Sequence, residues 1–126
     1  MANAGLAALS PLVRVAWLAI RVASAVITVP IAEELAFRGY AARRWMAADF
    51  DLVNLRDLSW FAVIGFSVLF GLMHGGQWLA GIIAGLVYAI AVRRSGRIAD
   101  GIATHATTNA LLAVWVLWRG ERGLWG

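Results

Sequence analysis

Six side chains able to move protons or donate hydrogen bonds stand in otherwise apolar stretches of this chain: Glu33, Glu34, Arg38, His74, His105 and Asn109. Carboxylates, imidazoles and a primary amide are the groups with which a site activates a water and holds the charge that builds on a carbonyl oxygen. They also build proton relays. Ionisable groups at membrane depth are costly enough that they are rarely left there without a partner or a task. Their spacing is coherent: Glu34 and Arg38 are i, i+4, as are Phe70 and His74, and His105 and Asn109. Each pair therefore shares a face if its segment is helical. Glu33 is turned about 100° from Glu34, so one carboxylate is free to pair with Arg38 while the other faces a cavity.

The segments that must position these groups read as helices. Residues 12–29 form an apolar run interrupted by Arg14 and Arg21, long enough to span a bilayer, with Arg14 placed to snorkel to an interface. Pro30 is expected to break or kink the chain and to open a second helix over 31–47, which carries Glu33, Glu34 and Arg38. Residues 48–59 are the one sustained polar segment and are expected to be a surface loop. A third helix covers 60–73 and ends or bends at His74-Gly75-Gly76. A fourth covers 78–92, with Gly81 and Gly85 spaced for close helix packing. After a basic turn at 93–97, a fifth helix runs over 98–118, followed by a short tail, 119–126. No repeat and no sustained strand alternation interrupts the pattern. The expected fold is an all-α integral membrane bundle of about five helices, one unit over 1–126.

Composition points the same way. The chain is 62% hydrophobic and 14% charged, with mean hydropathy +0.76, against about 45–50% and about 25% in soluble domains. A globule this small cannot hide that much apolar surface, so lipid is its solvent. The net charge of +4 comes from Arg residues gathered between apolar runs, as loop charges are, so a nucleic-acid partner is not expected. Arg43, Arg44 and Arg56 lie at the same end as Arg93, Arg94 and Arg97, which assigns that end to the cytoplasm; Arg119 and Arg122 fall opposite. Trp45, Trp60, Trp78, Trp115, Trp118 and Trp125 punctuate helix ends, as interfacial aromatic belts do. Cysteine is absent, which excludes disulfides and thiolate chemistry. The first ten residues lack the basic n-region of a cleavable signal.

At about 1.5 Å per residue, Glu33 lies roughly 16 Å from Arg44, His105 roughly 12 Å from Arg97 and His74 roughly 21 Å from Trp60. Within a hydrocarbon core of about 30 Å, three helices thus deliver polar groups to similar depth. A shared inward cluster costs less than three isolated desolvated groups.

In order, Glu33-Glu34-x-x-x-Arg38, Phe70-x-x-x-His74 and His105-x-x-x-Asn109 resemble the motifs of the CPBP intramembrane proteases, the CAAX-protease and bacteriocin-processing (Abi) family. The resemblance covers about residues 28–115, and its context looks further like the bacterial branch found with exosortase systems. It implies a glutamate-dependent intramembrane endopeptidase in the bacterial cytoplasmic membrane, multi-pass, with lipid around it and a membrane-associated peptide or protein as substrate. The family usually has more helices, so the chain is expected to be N-terminally short of it, with a cavity open to lipid. On this reading Glu33 is the base and His74 holds the water. His105 and Asn109 donate to the oxyanion. Glu34 and Arg38 hold the helix, and Phe70 packs against the cluster. No cofactor is expected. Two histidines and a glutamate would suit zinc, but the His-Glu-x-x-His signature is absent. Two competing readings are a non-catalytic scaffold or immunity-type binder keeping the fold, and a fragment of a proton-coupled transporter.

Overall fold

In the computed structural model, residues 2–120 are described, with side chains from Gly5 onward; residues 121–126, with Arg122 and Trp125, lie outside them. Five helices follow in order: a short α1 (Ala2–Ala7), a long α2 (Pro11–Met46), α3 (Trp60–Leu72), α4 (Trp78–Ser95) and α5 (Ile98–Arg119). Among the described residues no strand interrupts them, so the fold is an all-α helical bundle suited to a membrane. The runs Pro11–Met46 and Gly75–Ser95 are long and apolar enough to cross one. Helix α3 is apolar but only 13 residues long, about 20 Å, so it is short beside α2 and α5.

The expected break at Pro30 does not occur. Pro30 is buried inside a continuous helix of 36 residues. The turn before it, Ser24–Thr28, widens to π geometry, and the Val29 N–H bonds to the Ser24 carbonyl, five residues back. A second wide stretch, Leu35–Ala41, follows the paired glutamates and closes with the Ala42 N–H on the Phe37 carbonyl. Wide turns of this kind absorb a proline and cluster at functional sites.

Helices α3 and α4 pack closely because glycine lets them. A Cβ on Gly71 would stand 2.3 Å from an Ile82 side-chain atom and 2.5 Å from the Ile82 nitrogen, and one on Gly81 would stand 2.9 Å from the Gly71 Cα. Gly81 and Gly85 are buried on this seam, as their spacing predicts.

The polar segment before α3 is more than a surface loop. Its Leu58 is 1% exposed and joins Ala42, Ala62, Val63, Ala89 and Val92 in the core. Arginines tie it down: Arg93 Nε donates to the Leu58 carbonyl at 2.8 Å, Arg43 to the Asp51 carbonyl at 2.6 Å, and Arg56 to the Arg94 carbonyl at 2.8 Å. The two basic clusters therefore share one end of the bundle. Arg14 folds back onto the carbonyls of Leu6, Ala7 and Leu9 and so caps α1. Trp45, Trp60, Trp78, Trp115 and Trp118 are all exposed, which fits a belt rather than core packing.

Candidate active site

Glu34 anchors the site. It is fully buried on α2, and its Oε1 accepts from Arg38 Nη1 at 3.1 Å. The Arg38 guanidinium is equally buried and spends Nη2 on the Gly85 carbonyl of α4 at 2.6 Å. Its flat face lies 4.9 Å from the Phe70 ring centroid. A buried ion pair is held only when its remaining hydrogen-bonding groups are also satisfied, and the Gly85 carbonyl does that for the cation.

The same Glu34 oxygen lies 3.0 Å from Nδ1 of His105, which reaches it from α5. An ionised carboxylate only accepts, so Nδ1 carries the proton and donates it. His105 Nε2 faces the other carboxylate: it lies 3.8 Å from Glu33 Oε2. One imidazole thus bridges two neighbouring glutamates that point about 100° apart on their helix. The 3.8 Å edge is too long for a direct hydrogen bond. Glu33 Oε2 is buried and takes no hydrogen bond from the described residues, although a third of the Glu33 side chain is exposed. Two carboxylates and one guanidinium leave one negative charge, so a single proton on the Glu33–His105 edge brings the group to neutrality.

Aromatic rings fix the imidazole. Tyr88 of α4 stacks on it, centroids 4.4 Å apart at 15°, and Phe70 meets it edge-on at 5.7 Å. Phe70 also touches His74 at 4.5 Å, so one ring stands between the two histidines.

His74 follows α3 and is exposed. Its Nδ1 lies 2.7 Å from the Phe70 carbonyl, so the proton sits on Nδ1 and Nε2 is left as an acceptor. Gly75 then takes φ +56°, the left-handed turn that a side chain would resist. His74, Gly75, Gly76 and Gln77 form one lip of a cleft of about 760 Å³; His105, Asn109 and Tyr88 lie deeper in its wall, with Phe70, Ala84 and Leu112. Glu33 is not in that wall and reaches it through His105. Asn109 donates Nδ2–H to the Ala25 carbonyl at 2.7 Å, which leaves its second N–H.

The structure thus brings Glu33, Glu34, Arg38 and His105 into contact, sets Phe70 against them, and places His74 and Asn109 on the same cleft. Sequence reasoning missed Tyr88, the Gly85 carbonyl and the Glu34–His105 bond. The signal for the first was there: Tyr88 continues the face of α4 that carries Gly81 and Gly85. Gly101, one turn before His105, is the other omission; a Cβ there would meet Val92 at 2.4 Å and Glu34 Oε2 at 3.1 Å. No three His, Asp or Glu side chains converge as metal ligands among the described residues; the two carboxylates address opposite nitrogens of one ring.

Residues 15–111 match the family model of the type II CAAX prenyl endopeptidases, Rce1-like. The chain belongs to this family. Membership makes it one of a group of membrane-embedded CAAX-type proteases, whose substrates are peptides or proteins. The match is to the family as a whole and does not single out the exosortase-associated branch. Neither a curated protein nor a solved structure matches the chain in the other two comparisons.

Proposed function

We propose that the chain is an intramembrane endopeptidase of the CPBP (Abi) type that hydrolyses a peptide bond at or within a bacterial cytoplasmic membrane, using a water activated by Glu33 and the two histidines. The observation that carries this is the His105 ring between two carboxylates at the wall of a cleft that also holds His74 and Asn109. His74 Nε2 accepts a hydrogen bond from the water and orients it. The water oxygen attacks the scissile carbonyl carbon, and its proton passes to the Glu33–His105 pair, with Glu33 the acceptor. Asn109 turns its second N–H to the developing oxyanion. The proton returns to the leaving amine as the C–N bond breaks. Here His105 keeps its Nδ1–H on Glu34 and turns its Nε2 to Glu33, so that the two share the edge on which the proton is held, and the oxyanion falls to Asn109. Glu34 acts as a buried orienting carboxylate: it fixes the His105 tautomer and is itself neutralised by Arg38.

A cleavage assay in membranes, with tagged membrane-associated candidate substrates and a chelator arm, tests this. The proposal expects cleavage by the wild-type chain that survives the chelator and disappears in His74→Ala. Absence of cleavage of every substrate by a folded wild-type chain would support the scaffold reading instead.

A further inference from the structure

Pro30 creates a specific deficit in α2, and Asn109 meets it. In a regular helix the Ala25 carbonyl would accept from the N–H of residue 29, and in a wide turn from that of residue 30. Val29 gives its N–H to Ser24 instead. Residue 30 is proline and has none. The Ala25 carbonyl therefore loses both donors its own helix offers, at a depth where an unpaired carbonyl is costly. The amide of Asn109 arrives from α5 and donates to that oxygen at 2.7 Å. Thr104, Thr107 and Thr108, on the same helix, spend their hydroxyls on carbonyls of their own preceding turn, so it is the Asn109 amide that α5 offers to the Ala25 carbonyl.

We propose that Asn109 replaces the N–H that Pro30 lacks, and that this bond sets the register of α5 against α2 so that His105, one turn earlier, meets Glu34 and Glu33. Asn109 is in this respect a positioning residue, distinct from any contact it makes with substrate. The juxtaposition explains how a proline is kept inside a membrane helix three residues before Glu33. It also makes Pro30 and Asn109 a functional pair although they are 79 positions apart in the chain (109 minus 30).

The inference adds to the proposed mechanism but is tested without cleavage, so the two fail separately. The full chain carries two histidines, and their imidazole ¹⁵N signals can be followed in detergent micelles or bicelles together with the melting temperature. In Asn109→Ala we expect the His105 Nδ1–H signal to lose its hydrogen-bonded position and the midpoint to fall by about 4–8 °C, the size of one buried hydrogen bond. In Pro30→Ala/Asn109→Ala the new backbone N–H serves the Ala25 carbonyl, and at least about half of both losses should return. Losses that simply add in the double variant would overturn the proposal, as would an unchanged His105 signal in Asn109→Ala. If Asn109→Ala does not fold, recovery of folding in the double variant supports the pairing and continued failure refutes it.

Discussion

The two histidines sit in opposite surroundings. His105 is 3% exposed, hydrogen-bonded to Glu34, stacked by Tyr88 and faced by Glu33. His74 stands in a run, residues 72–80, that is exposed throughout. Its ring bonds to the carbonyl one turn earlier, and the backbone beyond it leaves the helix. The first is a fixed floor, held in place by the bundle before any substrate arrives. The second is an open lip, and non-helical backbone at membrane depth is tolerated where it lines a wet cavity or is buried in protein. The difference divides the labour: the floor stores charge and sets a tautomer, while the lip presents one ring nitrogen and exposed turn backbone to whatever enters.

That contrast can be broken from the floor first. Arg38→Met should have the largest effect, because it leaves Glu34 buried and uncompensated; a loss of about 3–5 kcal/mol is expected, read as failure to accumulate or an early melting transition. Gly71→Ala comes next. Its Cβ would run into backbone as well as side-chain atoms of Ile82, so overpacking of about 1–3 kcal/mol should appear in the midpoint. The histidines themselves sharpen the comparison. His105→Ala should lower both cleavage and melting temperature, whereas His74→Ala should abolish cleavage and move the midpoint by no more than about 2 °C. Equal destabilisation by the two would erase the distinction. The smallest effect is expected at Thr107→Ala, an exposed hydroxyl bonded to the Ala103 carbonyl: within about 0.5 kcal/mol by thermal unfolding and without change in cleavage.

Much of this was legible in the sequence because membrane helices write their contacts at fixed intervals. The i, i+4 spacing gave the Glu34–Arg38 pair, and the polar interruptions located the segments that meet. The tryptophans marked helix ends. What escaped were contacts made by backbone or dictated by a change of helical register. Gly85 enters through its carbonyl, which no side-chain pattern displays. Pro30 reads as a break, yet the chain widens its turns and takes a donor from another helix. Tyr88 gave no signal by itself and became visible only as the continuation of the glycine face. The polar loop hid Leu58, which looks no different from Leu52 or Leu55 in the sequence yet is the one of the three that is buried, with Arg93 of α4 bonded to its carbonyl.

The central claim is that the Glu33–His105 edge takes the proton from the attacking water. It is tested most directly by the cleavage rate of Glu33→Gln in membranes, measured beside the wild-type chain at matched folded amounts. The substitution keeps size and removes the basic oxygen. The account predicts a fall of about 10²–10⁴-fold with an unchanged melting temperature; a rate within a few-fold of wild type would contradict it.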